Sequence, residues 1–234
     1  MFEATVAAAR PSRLVYTSSV AAYGYHADNP VPLTEDVPVR GFAEHYYSEQ
    51  KAECEALLAE ATAGSDLQVY VLRPCIVAGP QATALADNLP WRKVSERLPR
   101  AVLKLLSAAP GLRPIIPDPG TPLQLVHHDD VATALVAAVL GTGRPGAYNL
   151  AGDGGVTLTD VAHAVGALAV PVPQVLATAA SEVLARLPLV PAMAEWLHVM
   201  RSSVVMDTSR AKQELAWKPQ HTSAQTLAAM AAAL

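Results

Sequence analysis

A helix that begins near residue 43 and ends at Gly64 lies between two apolar strands, and this strand, helix, strand succession constrains the chain more than any other feature. Arg13-Leu14-Val15-Tyr16-Thr17 runs into the hydroxyl-rich loop Ser18-Ser19, and Leu67-Gln68-Val69-Tyr70-Val71-Leu72 runs up to Pro74. Near-continuous apolar strands suit a sheet buried on both faces, as parallel sheets are. In open parallel sheets ligands bind beyond the carboxyl ends of the strands, which is where Ser19 falls. Tyr47, Lys51, Cys54, Leu58 and Ala61 follow three-and-four spacing, which predicts one helix face packed on the sheet. Gly64 suits the left-handed position that closes the helix. The segment Asp28 to Val39, with Pro30, Pro32 and Pro38, reads as irregular chain over the site.

Tyr47 and Lys51 stand four residues apart and share a helix face. A phenol titrates near pH ~10 in model peptides, and a neighbouring cation favours its ionised form, so such a pair can exchange a proton with a substrate hydroxyl or carbonyl. The same spacing also fits a packed ring and a solvated amine, and the neighbouring segments decide between the two. Tyr46 points about a third of a turn away, and its own i+4 partner is Gln50.

Composition narrows the alternatives. Hydrophobic residues make up 51% of 234 and charged residues 16%, a globular composition for one or two domains. With a net charge of −4 and no Lys/Arg run interleaved with aromatics, nucleic acid is not an expected partner. Cys54 and Cys75 form no C-x-x-C pair and read as small core residues. No charged-then-apolar leader opens the sequence, so a cytoplasmic location is expected. Between His163 and Glu182, Pro171, Pro173, Gln174 and Thr178 interrupt the longest uncharged stretch and argue against a membrane span. A strand-like Val170 to Pro173 leading into an amphipathic helix fits better, and Leu176 to Leu197 leaves surface attachment open.

The ordered segments Ser19-Val20-Ala21-Ala22-Tyr23-Gly24, Tyr47-x-x-x-Lys51 and Val71-Leu72-Arg73-Pro74-Cys75-Ile76-Val77-Ala78-Gly79-Pro80 resemble the extended short-chain dehydrogenase/reductases, the NAD-dependent epimerase/dehydratase family. Val126-His127-His128-Asp129-Asp130-Val131-Ala132 is similar to that family's aspartate-aspartate helix start. Ala147-Tyr148-Asn149-Leu150-Ala151-Gly152 is similar to its last core strand, and Asp207 through Pro219 to its C-terminal signature. The resemblance implies an α/β fold with a Rossmann-like parallel sheet and a small C-terminal substrate lobe. Residues 1–80 and 125–152 would form the partial Rossmann-like domain, and 81–124 and 153–234 the substrate-binding lobe. It also implies NAD or NADP as cofactor, a small-molecule substrate, and a homodimer built on the helices flanking Tyr47. Tyr47 would be the acid/base, Lys51 would lower its pKa and hold the nicotinamide ribose, and Ser19 would hydrogen-bond the substrate oxygen. Thr17 and the backbone of Pro74, Cys75 and Ile76 would pass beside the nicotinamide.

The sequence departs from the family at two points. The family places a strand, a Gly-rich phosphate-binding turn and a helix, then roughly a hundred residues of strands and helices, ahead of the serine strand, which here begins near residue 13. The expectation is therefore a fold truncated at its N-terminus, with an exposed edge on the first strand. Such a chain is either incomplete as an enzyme or a non-catalytic interaction or apolar-ligand binding protein derived from the family. Second, where sugar-nucleotide members carry an Asn and an Arg that grip a diphosphate, this sequence has Ile76 and Leu123. A less polar carbonyl or alcohol is the expected substrate.

His127-His128-Asp129-Asp130 contains metal-ligand residue types, but adjacent side chains at a strand-to-helix junction are expected to diverge, and no metal is assigned. Asp129 or Asp130 as N-cap of a helix from Val131 to Leu140 accounts for the same residues. Thr157 or Thr159 is expected to cap the helix that carries Val161, Val165 and Leu168. No serine stands in a G-x-S-x-G elbow, so a hydrolase is not supported.

Overall fold

The computed structural model describes residues 1–8, 11–82, 115–173 and 204–234. A short helix α1 (Phe2–Ala7) precedes β1 (Arg13–Thr17), a 3-10 turn over Val20–Tyr23, α2 (Tyr46–Thr62), β2 (Gln68–Pro74) and β3 (Ile76–Ala78). Then come β4 (Ile115–Asp118), β5 (Leu125–His127), α3 (His128–Leu140), β6 (Gly146–Leu150), α4 (Leu158–Ala164), β7 (Leu168–Pro171), α5 (Ser209–Glu214) and α6 (Ser223–Ala231).

β1, β2 and β6 form a parallel sheet in that order, with Thr17 opposite Leu72 and Pro74 opposite Leu150. β3 pairs β5, and β4 pairs β7, also in parallel. The α/β reading with a parallel sheet therefore holds. Ladder bonds continue past the strand ends: Ser18 N donates to Leu72 O at 2.7 Å, and Cys75 N to Leu150 O at 2.9 Å. These bonds fix where each strand tip points.

Two apolar clusters hold the elements together. One gathers Tyr23, Leu33, Leu72, Val126, Leu150 and Trp217, and the other Leu123, Leu125, Val161, Leu227 and Met230. Each fully buried side chain of this size contributes about 1.5–3 kcal/mol. β1 is the exception, because none of its residues is buried and, among the described residues, it pairs on one side only.

Helix α2 starts where the His45 ring accepts the N–H of Ser48 at 3.1 Å. It contains no Gly or Pro, and Gly64 at φ +73 follows its end. Ser48 Oγ donates to Ala21 O at 2.6 Å, which seats the helix on the 3-10 turn. The expected apolar face is only partly realised. Ser48 and Leu58 are buried while Tyr47 lies on the exposed rim. Ser48, Glu55 and Leu58, at seven- and three-residue spacing, define the inward stripe instead.

The cap of α3 also differs from expectation. His127 is the N-cap, its Nδ1 accepting Asp129 N at 3.2 Å, and the helix starts at His128. Asp130 is buried and turns toward the C-terminal segment, where its carboxylate accepts Gln220 N at 2.8 Å and His221 N at 3.1 Å. An aspartate with two backbone donors to satisfy there is unavailable for its own helix. Thr157 caps α4 through a capping box with Asp160, as expected, but the helix stops at Ala164 ahead of Gly166 at φ +73, and Leu168 opens β7 instead of continuing the helix. Much of the expected insert at 81–124, the helix expected after Pro173, and Leu176 to Leu197 lie outside the described residues. Among the described residues no helix is long and apolar enough to cross a membrane.

Candidate functional site

The carboxyl ends of β1 and β2 and the first turns of α2 converge on one rim. Lys51 Nζ donates to the carbonyl of Thr17 at 3.1 Å and lies 5.7 Å from the Tyr47 ring centroid. One carbonyl therefore holds the ammonium at the tip of β1 beside the phenol. An ammonium has three protons, so two remain for other acceptors. Tyr47 is 46% exposed, and its hydroxyl makes no hydrogen bond among the described residues. Tyr46 differs, because Gln50 Nε2 donates to its hydroxyl at 2.5 Å, as the i+4 spacing predicted.

Ser19 sits at the entry of the 3-10 turn in extended conformation, and its Oγ accepts the N–H of Ala21 at 3.2 Å. Accepting that bond leaves the hydroxyl proton free to donate. Gly24 closes the turn at φ +80, and a Cβ there would lie 2.0 Å from Gly41 O. Only glycine lets the loop double back so closely.

On the β2 side, Cys75 is buried, and burial pushes its thiol well above the usual range. The thiol stays protonated, so at Cys75 only the backbone is available to a ligand. Ile76 is half-buried in β3, opposite Leu125. Leu123 is buried in the second apolar cluster and bridges Val156, so its side chain faces the core.

Behind this rim runs a buried polar network that the sequence reading did not find. Glu55 on α2 accepts Ser18 Oγ at 2.5 Å and Arg73 Nε at 3.0 Å on one oxygen, and Arg73 Nη2 at 2.6 Å on the other. Arg73 Nη1 donates to the Tyr23 hydroxyl at 2.8 Å, which donates to Asn149 Oδ1 at 2.8 Å. Burial works against charge on Arg73, but Glu55 and Tyr23 together outweigh it and hold the guanidinium above its usual value. Burial raises the Tyr23 phenol, with Arg73 partly offsetting it. The available signals were Glu55 four residues after Lys51, and an arginine ending an otherwise apolar strand.

The His127 and His128 rings do not diverge as expected. Their centroids are 4.3 Å apart, and His221 stacks on His127 at 3.9 Å. Donor atoms of His127, His128 and Asp129 lie within 4.8 Å of one another. The N-cap geometry turns His127 back over the helix start, which adjacent-residue reasoning does not capture. Those donors are already engaged: Asp129 N with His127 Nδ1, and the Asp129 carboxylate with His128 Nδ1 at 3.1 Å. The positive end of α3 also disfavours a cation there. Burial, then the neighbouring His221 and His128, lowers the pKa of His127.

A parallel α/β sheet with a phenol, an ammonium and a hydroxyl at its carboxyl edge defines the Rossmann-like class. Within it, residues 1–151 match the NAD dependent epimerase/dehydratase family, and the chain belongs to that family. Its fold is similar to the crystal structure of gox2253, with 25% identity and TM-score 0.65 over 99% of this chain and 68% of that one. It also resembles the Bordetella bronchiseptica enzyme WbmG in complex with NAD (22%, TM-score 0.65, 99% and 61%). A third likeness is to RMD from Pseudomonas aeruginosa complexed with NADPH (17%, TM-score 0.63, 94% and 66%). The uncharacterized protein Rv0501 of Mycobacterium tuberculosis is 27% identical over 225 residues, 95% of this chain and 54% of that protein. The chain thus spans about half the length of the curated relatives it matches.

Proposed function

We propose that this chain carries the proton-transfer and nicotinamide-facing part of an NAD(P)-dependent enzyme acting on a hydroxyl or carbonyl substrate. The observation that carries the reading is Lys51 held on the Thr17 carbonyl beside half-exposed Tyr47, whose hydroxyl has no hydrogen bond among the described residues. Tyr47 gives or takes the substrate proton, Ser19 donates a hydrogen bond to the substrate oxygen, and Lys51 supplies positive charge to the phenol and hydrogen bonds to a ribose. Backbone of Pro74, Cys75 and Ile76 lines the opposite wall. A bound nicotinamide supplies or accepts the hydride.

The residues fit the nicotinamide and ribose end of such a cofactor. The Gly-rich turn between β6 and α4 is closed off at Gly152 by the backbone of Leu125, His221 and Ser223, so this reading extends no contact to the pyrophosphate. NAD in WbmG and NADPH in RMD support either cofactor. MoeE5, whose structure holds UDP-glucuronic acid and NAD, supports a small-molecule substrate. Leu123 packed in the core leaves no cation at that place for a diphosphate, which favours a less polar substrate. Residues 81–124 and 153–234 would supply the substrate lobe, the cytoplasm its NAD(P) pool, and exposed Tyr46 and Leu57 on α2 a homodimer contact. Among the described residues β1 is half-buried and pairs on one side only, which supports a second reading, an interaction protein that docks through that edge.

Titration with reduced nicotinamide mononucleotide, followed by saturation-transfer NMR, tests the first reading. That probe carries only the nicotinamide and ribose end. Binding with Kd of about 1–10 mM is expected, equivalent to about −4 to −3 kcal/mol, and Lys51→Ala should weaken it at least about tenfold. Absence of binding, or equal binding by Lys51→Ala, would overturn the reading.

A further inference from the structure

We infer that Glu55 is a positioning residue for the candidate site, fixing its three limbs against one another through a single buried carboxylate. The inference rests on the proposed reading of Tyr47 and Lys51 and goes beyond it, because Glu55 touches neither substrate nor cofactor there.

The geometry is specific. Glu55 lies four residues after Lys51 and eight after Tyr47 on α2, so all three lie along one side of the helix. Its Oε1 takes the hydroxyl of Ser18, which stands directly between Thr17 and Ser19. The same oxygen and Oε2 take the fork of Arg73, which directly precedes Pro74, Cys75 and Ile76. One carboxylate thus joins the helix that presents the phenol and ammonium, the strand tip that presents the serine, and the strand end that lines the cofactor wall. Arg73 extends the tie through Tyr23 to Asn149 on β6.

A stability role alone does not explain these residue types. A buried ion pair contributes little net stability, and an apolar pair of similar volume would hold helix and sheet together as well. What the pair supplies is direction. A bidentate guanidinium-carboxylate contact fixes both distance and rotation between the elements that carry it, whereas apolar contacts let α2 slide over the sheet. The site requires that control, since displacement of reacting groups by about 1 Å can cost about a hundredfold in rate.

Ser18→Ala is the informative variant. It removes the link from the carboxylate to β1 and leaves the Glu55–Arg73 pair intact, so the fold survives. Binding of reduced nicotinamide mononucleotide by this chain is measured for the wild type, Ser18→Ala, Glu55→Gln and Lys51→Ala, with thermal melting alongside. We expect Ser18→Ala to weaken binding about three- to tenfold with melting unchanged, because Lys51 and the Thr17 carbonyl lose their common reference. Ser18→Thr, which keeps the hydroxyl, should recover most of that loss. Glu55→Gln should weaken binding further at temperatures where the variant is still folded. Wild-type affinity in Ser18→Ala, or a loss in it that Ser18→Thr fails to recover, would overturn the positioning role while the reading of the site stands. Undiminished binding by Lys51→Ala would instead overturn the reading of the site, and the positioning role with it.

Discussion

The guanidinium of Arg73 and the carboxylate of Glu55 meet fork to fork at 2.6 and 3.0 Å, with side chains 8% and 9% exposed. The two sit on different elements, β2 and α2, and neither has water to fall back on. Removing one partner from a buried pair costs about 3–5 kcal/mol, because the other is left charged and alone. Arg73→Met should therefore lower the urea midpoint strongly. The double variant Arg73→Met, Glu55→Leu should recover much of that loss, and a double variant as unstable as the sum of the two singles would contradict the pairing.

Tyr46 and Tyr47 are neighbours with opposite surroundings, one bonded to Gln50 and the other with no hydrogen bond on its hydroxyl among the described residues. On the proposed reading, Tyr47→Phe should lower kcat for hydride transfer by about 10²–10⁴, the usual worth of a positioned acid or base. Its melting temperature should not move, since no hydrogen bond is lost. Tyr46→Phe should leave turnover within about twofold. Turnover preserved in Tyr47→Phe would remove that residue from the mechanism.

The parts of the fold legible in the sequence are those set by local chemistry. Apolar runs gave β1 and β2, Gly64 marked the end of α2, and the Thr157 box marked the start of α4. The pairing of Tyr46 with Gln50 followed from helical spacing alone. What escaped depends on contacts across many residues. Asp130 looked like a cap because nothing local shows Gln220 and His221 arriving at its carboxylate 90 and 91 residues later. Glu55 drew no reading at all, because its partners Ser18 and Arg73 come from the tip of β1 and from β2. His127 and His128 were expected to diverge, and the cap that turns one back onto the other is tertiary in origin.

His127 is kept neutral by burial and by the neighbouring His221 and His128, so its folded pKa lies below its unfolded value of ~6.5. The unfolded chain then binds a proton first as pH falls. Stability contributed by this residue is complete above about pH 6.5 and is lost progressively as pH drops toward the folded value. Glu35, raised by burial, works with the opposite sign over a window beginning near its unfolded ~4.3. The clean comparison is therefore between variants. His127→Asn retains a capping acceptor but no titration, so its urea midpoint should fall less than that of the wild type between pH 7 and pH 5.5. Parallel curves for the two proteins would show that His127 does not titrate with folding.

Gly141 ends α3 at φ +79, and the position where a Cβ would project lies 2.2 Å from Arg13 Nη2. Arg13 opens β1 and donates to Val139 O at 2.5 Å and to Gln68 Oε1 at 3.0 and 3.1 Å. Its cation also faces the negative end of the helix. Gly141→Ala thus has two separable costs. The left-handed backbone costs about 1–2 kcal/mol for any residue with a Cβ. Displacing the guanidinium loosens β1, the strand with no buried residue, and adds to that. In an Arg13→Ala background only the first cost remains, so Gly141→Ala should be less destabilising there than in the wild type. Denaturant midpoints of the four proteins measure the difference, and equal effects in both backgrounds would mean that Arg13 simply swings aside.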